Sequence, residues 1–231
     1  MKLIDLSLEL AQGMPRYPSP YLPDVELRPA ATHEKEARSA QILVSGTHVS
    51  THLDAPYHAC PDGMKIDEIP LNQLIGRALV VRILDRDKGN PITVDDIAKL
   101  GSLTGVQKLV IDTGWLRKTW GSAEYFTEGP FLTRDATRLL AEAPDLHMIG
   151  MDFPNIDSGA DMRMGVRAPN HVILLERKII LLENLINLEL IEEPDFLLMA
   201  QPIKLTGGDG CPTRAVAAFP IDEAAAWLGK S

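Results

Sequence analysis

Runs rich in β-branched and other apolar residues recur at residues 41–44, 78–83, 108–112, 147–151 and 179–183, each with the length and composition of a β-strand. Segments with helical spacing lie between them. Residues 93–99 predict a helix opened by Thr93 with acids in its first turn. Residues 133–142 predict another, in which Thr133 caps a run that puts Ala136, Leu139 and Leu140 on one face. A closing helix is expected over 221–228, with Asp222 near its start and Gly229 after its last turn. Pro70 limits residues 67–74 to a short turn. Pro15, Pro18, Pro20, Pro23 and Pro29 make residues 13–30 an extended loop, one that could lie over a pocket.

Alternation of strand and helix from about residue 77 to 142 suits α/β layering, whereas the strand-rich start with hairpin-like spacing suggests antiparallel pairing. A mixed α/β fold follows. The 231 residues, 45% hydrophobic and 24% charged, can bury a substantial core, and no linker-like stretch divides them, so a single domain over 1–231 is expected.

Charge narrows the partners. A formal net charge of −9 with no basic run disfavours nucleic acid and anionic membrane surfaces. The apolar runs fall far short of the roughly 20 residues a membrane helix needs. The opening MKLIDLSLEL is interrupted by Asp5 and Glu9 and lacks the features of a secretory signal, so a cytoplasmic location is expected. The two cysteines, Cys60 and Cys211, are too few for a disulfide scaffold and read as reduced thiols. GGDG at residues 207–210 lacks the lysine and helix start of a phosphate-binding loop and reads as a turn.

The densest chemistry lies in SGTHVSTHLDAPYH, residues 45–58, which holds His48, His52, Asp54 and His58. A helix would also put His48 and His52 on one face, but Gly46, the β-branched Thr47, Val49 and Thr51, and Pro56 argue for extended backbone. In a strand His48, Ser50, His52 and Asp54 share a face, because side chains alternate with a period of two. Two imidazoles and a carboxylate then suit Zn²⁺ or Mn²⁺ with positions left open for water. His58, just beyond, could move protons or add a further ligand.

Downstream, Asn170 is expected to cap a short helix beginning at His171, and Glu183 ends an apolar strand. A carboxylate buried there needs a cation, a metal or a hydrogen-bond donor. Taken alone, each also suits a bland role, as a helix-terminal histidine and a solvated carboxylate.

HVSTHLDAPYH, residues 48–58, resembles the HxGTHxDxPxH signature of the cyclase-family metal-dependent hydrolases, the group that includes bacterial kynurenine formamidase and isatin hydrolase. The resemblance extends through LIDLSLEL, DTGW, GPFLTRDATRLLAE, GMDFPNID, HVILLERKIILLENL and PIKLTGGDGCPTRAVA. It implies a swivelling β/β/α-type mixed-sheet domain, assembled as a homodimer or homotetramer, that hydrolyses amide-like C–N bonds with one or two divalent ions. By position it implies His48, His52 and Asp54 as ligands of a first metal, Asp54 as a bridge, His171 and Glu183 at a second site, and His58 as the acid/base. Two positions depart from the pattern. Ser50 replaces a glycine, adding a hydroxyl that could narrow the site or orient water, and Asn155 stands where many members carry serine.

The implied substrate is a small amide, an arylformamide such as N-formylkynurenine; a cyclic amide or lactone is the alternative. Tyr17, Tyr57 and Phe153 could contact an aromatic ring, and Arg163, Arg167 and Arg214 a carboxylate, though each also suits an ordinary packed or solvated role. Two other classes stay open: a non-catalytic, metal-stabilised binding module, and thiol chemistry at Cys60 or Cys211.

Overall fold

The structure, a computed structural model, describes residues 1–86, 88–159 and 168–228, with side chains to residue 224. Its strands begin with β1 (Lys2–Asp5), β2 (Glu26–Ala31), β3 (Ala40–Val44), β4 (His52–Asp54), β5 (Ile75–Arg82) and β6 (Pro91–Ile92). They are followed by β7 (Lys108–Asp112), β8 (Phe131–Leu132), β9 (Met148–Met151), β10 (Ile180–Glu183), β11 (Asp195–Pro202) and β12 (Gly210–Phe219). The main sheet runs β1-β12-β11-β5-β7-β9-β10-β4, and β4 pairs back to β12. Strands β12, β11, β5, β7, β9, β10 and β4 therefore close into a mixed, barrel-like ring, and β1 continues along the same edge of β12 beyond β4. The β5–β7, β7–β9 and β9–β10 pairs are parallel; the other pairs of the main sheet are antiparallel.

Period-two alternation divides the core. Val110, Met148, Ile180 and Leu182 point into one cluster with Leu53, Leu198 and Ala217. Their chain neighbours Leu109, Ile111, Ile149, Met151 and Leu181 point into another, where Ala136, Leu140, Leu174 and Leu175 cover the sheet. The covering residues come from helices Arg134–Ala141 and Pro169–Glu176. Thr133 caps the first, its Oγ1 accepting the Ala136 N–H at 3.3 Å, as its position before the apolar run predicts. Each fully buried leucine there contributes about 1.5–3 kcal/mol of transfer free energy.

The sequence expectation of α/β layering after residue 77 and antiparallel pairing before it agrees with these elements. The proline loop is shorter than expected, because Pro29 lies inside β2 in an antiparallel hairpin with β3. Among the described residues no helix is long and apolar enough to cross a membrane.

Candidate metal centre

Strand β4 is short because Ser50 adopts φ 59°, a left-handed conformation that ends extended backbone, and residues 48–51 form successive bends. The expectation of one strand carrying His48 to Asp54 is corrected accordingly. Only His52 and Asp54 share a strand face; His48 reaches them from the bend. A left-handed turn also explains why glycine would suit position 50. The Ser50 hydroxyl donates to the Leu8 carbonyl at 2.9 Å, and so serves the backbone.

Register then brings the second group in. Within the β10–β4 pair, Glu183 lies opposite His52 and Leu181 opposite Asp54, with Leu53 turned to the other face among the barrel's apolar residues. His171 arrives from helix Pro169–Glu176, which packs against the turn Pro56–His58.

The carboxylate of Asp54 sits at the centre. His48 Nδ1 lies 2.7 Å and His52 Nε2 3.4 Å from its Oδ1, and His171 Nε2 lies 3.6 Å from its Oδ2. Glu183 faces the same space, with Oε2 3.6 Å from His52 Nε2 and Oε1 3.7 Å from His171 Nε2. The His58 ring is 4.0 Å from that of His48 and 5.7 Å from that of His171, centroid to centroid. Donor atoms of His48, His52 and Asp54 lie within 4.8 Å of one another, as do those of Asp54, His58 and His171. All six residues picked out in the sequence are thus brought together.

Each inward-facing imidazole is held by its other nitrogen. His48 Nε2 meets Asp209 Oδ2 at 3.0 Å, His52 Nδ1 meets the Ser50 carbonyl at 3.0 Å, and His171 Nδ1 meets Asp157 Oδ2 at 2.6 Å. Such outer partners fix ring orientation and tautomer, as they do around metal-binding histidines. Asp157 also accepts the backbone N–H groups of Asn170 and His171. That contact corrects the capping assignment: Asn170 lies within the helix, donating to the Leu132 and Ile156 carbonyls, and Asp157 satisfies the helix start from a distance.

Asp157 and Asp209 were missed by sequence reasoning. Asp209 sits in the GGDG segment read as a turn. The signal that could have found it is the glycine beside it, because a Cβ on Gly210 would come within 2.6 Å of His48 Cε1.

Burial and neighbouring charge shift the acids and imidazoles of the site in opposite directions. Burial opposes charge on His48, yet Asp54 and Asp209 raise its pKa to about 10. For His171, burial is likewise outweighed, by Asp157, Asp54 and Glu183, and its pKa rises. Burial opposes ionisation of Asp54, but His48 and His58 hold its carboxyl well below the usual range. Glu183 is pushed up, first by burial and then by the charge of Asp54. Its Oε1 is buried without a hydrogen-bond partner, so two buried carboxylates share a space that a divalent cation would neutralise. The residues present fit such an ion.

The cleft above is bordered by Tyr17, Trp120, Phe126, Pro154 and Asn155, so the proline loop does lie over a pocket. Tyr17 and Phe126 meet edge to face at 6.2 Å. Arg16 is committed to the loop itself, through Asp24 and the Tyr17 and Ser19 carbonyls. Phe153 is buried in the core, and Tyr57 lies on the surface under Lys65, so neither borders the cleft. Arg214 pairs with Asp5 away from the site, while Arg163 and Arg167 lie outside the described residues. Asn155 uses its Oδ1 to accept the Asp157 N–H. Among the described residues bordering the cleft neither cysteine appears, and burial pushes the Cys211 thiol up, away from the reactive thiolate.

Residues 4–158 match the sequence profile of the Cyclase family. The chain belongs to that family. It is 30% identical over 218 residues to the kynurenine formamidase of Bacillus cereus, covering 92% of this chain and 95% of that one. The kynurenine formamidase of Geobacillus thermodenitrificans is also 30% identical, over 213 residues, with the same shares covered. Among solved structures, isatin hydrolase A from Labrenzia aggregata shares the fold with a TM-score of 0.83 at 23% identity, covering 94% of this chain and 93% of that one. A Bacillus stearothermophilus protein described as a predicted metal-dependent hydrolase superposes with a TM-score of 0.75 at 26% identity, covering 94% and 97%.

Proposed function

We propose that the chain is a metal-dependent amidohydrolase that cleaves the C–N bond of an arylformamide, N-formylkynurenine being the substrate class suggested by the relatives' name. The observation that carries this reading is the convergence of Asp54 and Glu183, both buried, with three imidazoles whose outer nitrogens are already engaged. His48, His52 and Asp54 would hold a first ion, zinc or manganese, and Asp54, His171 and Glu183 would hold a second. A divalent ion bound there would supply Lewis acidity toward a carbonyl oxygen and make water more acidic near neutral pH.

The protein's own groups do the rest. His58, on the cleft edge with its side chain about one-third exposed, takes the proton of the attacking water and returns it to the leaving nitrogen. A C–O bond forms at the carbonyl carbon, and the C–N bond then breaks as its nitrogen receives the proton, giving formate and an aromatic amine from a formamide. Tyr17, Trp120 and Phe126 offer edges and faces to an aromatic ring beside the reacting carbon. The chain acts in the cytoplasm as a homodimer or homotetramer.

Elemental analysis of the purified protein, with initial rates on N-formyl aromatic amines and on a cyclic amide, tests this reading. Bound zinc or manganese with turnover of the formamides supports it. Turnover of the cyclic amide alone would move the substrate class, and metal without hydrolysis of either would favour a binding module.

A further inference from the structure

Behind His52 lies a buried set of neutral polar groups, of which Ser50 and Asn184 also border the cleft. Tyr125 comes from helix Glu124–Thr127 and is fully buried, its ring clamped edge to face by Trp120 at 5.1 Å and Phe126 at 4.8 Å. Its hydroxyl donates to Asn184 Oδ1 at 2.5 Å. The Asn184 Nδ2 in turn donates to the Ser50 carbonyl at 2.8 Å, the same oxygen that His52 Nδ1 reaches at 3.0 Å.

The donor and acceptor order runs one way. A carbonyl oxygen only accepts, so the Asn184 amide turns its nitrogen to Ser50 and its oxygen to Tyr125; His52 Nδ1 has the Ser50 oxygen at 3.0 Å and the Asn184 Nδ2 farther off at 3.4 Å, and the shorter contact is made by an Nδ1–H. The lone pair of His52 Nε2 is then left toward Asp54 and Glu183. Ser50 and Asn184 both adopt left-handed backbone, φ 59° and 61°, which costs about 1–2 kcal/mol at most residues with a Cβ and less at asparagine. Thr51 ties the two strained positions together, its Oγ1 donating to the Asn184 carbonyl at 2.7 Å and accepting the Leu8 N–H at 2.8 Å. Two strained residues joined face to face aim one carbonyl at one imidazole.

We propose that Tyr125 and Asn184 are positioning residues that act through the Ser50 carbonyl to fix the tautomer and orientation of His52 as a metal donor. The inference rests on the reading of His52 as a ligand and deepens it. It assigns metal affinity to a phenol and an amide that are not themselves candidate ligands.

Tyr125→Phe and Asn184→Ala variants, stripped of metal and titrated with zinc alone against a chromophoric chelator, test it. Imidazole ¹H–¹⁵N spectra of the zinc-loaded proteins provide the second readout. Expected are a loss of zinc affinity of about 10–100-fold in Asn184→Ala and a smaller loss in Tyr125→Phe. The His52 Nδ1–H, slowly exchanging in the wild type, exchanges rapidly in both. If Asn184→Ala does not fold, Tyr125→Phe decides, because it removes one oxygen from a ring that packing still holds. Folded variants that bind zinc within about twofold of wild type, with the Nδ1–H unchanged, would overturn the inference while leaving the metal reading intact. A wild-type protein that takes up no zinc would overturn both.

Discussion

Asp157 Oδ2 lies 2.6 Å from His171 Nδ1, and the same carboxylate accepts the backbone N–H groups of Asn170 and His171. One side chain thus orients an imidazole and satisfies the helix that carries it. Asp157→Ala is expected to weaken divalent-metal binding by about 10–100-fold and to lower stability by about 1 kcal/mol through the lost cap. Isothermal titration with zinc and denaturant unfolding read the two effects separately.

His52 and His58 should part company on substitution. His52→Ala is expected to lower metal content and activity together, whereas His58→Ala retains most of its metal and loses roughly 10²–10⁴-fold in turnover. Elemental analysis beside rate measurements checks this, and the reverse pattern would contradict the division of roles.

Gly210 gives His48 the room it occupies. A Cβ there would sit 2.6 Å from His48 Cε1 and 2.7 Å from the Leu53 carbonyl. Neither the ring, fixed by Asp54 and Asp209, nor strand β4 can move freely away. Gly210→Ala is therefore expected to cost about 1–3 kcal/mol in unfolding free energy and to reduce metal uptake; wild-type behaviour in both would contradict this packing.

Lys108 predicts a pH dependence unconnected with the reaction. It is fully buried at the start of β7, its Nζ donating to the Asn72 carbonyl at 3.2 Å, and burial lowers its pKa to about 8. Between that value and the ordinary lysine value of about 10.5 the unfolded chain binds more protons than the folded one. Stability contributed by this group therefore rises with pH across that window and is flat below it. Because the raised pKa values of His48 and His171 make stability fall over the same range, the effect is read as a difference: the unfolding free energy of wild type minus that of Lys108→Met should rise with pH from about 8 to about 10.5.

How far the sequence reaches is set by the range of the interactions involved. Strand β7 coincides with the apolar run 108–112 because both of its faces are covered, and Thr133 marks a helix start through a contact three residues away. The candidate ligand residues were legible from spacing, yet the proposed strand failed at Ser50, whose left-handed turn is stabilised by Leu8 and Asn184. Strand β12 was hidden by Pro212 and by small alternating residues whose partners lie in β1, β4 and β11. Asp209 meets His48 across 161 residues, so its role belongs to the closed ring and not to its neighbours in the chain.

The dependence of formamide hydrolysis on divalent metal tests the centre most directly. Initial rates on an N-formyl aromatic amine should fall to background after the purified protein is stripped with a chelator, and should return on adding zinc or manganese. Hydrolysis that persists unchanged in the stripped protein, with metal content below detection, would contradict a reaction centred on His48, His52, Asp54, His171 and Glu183.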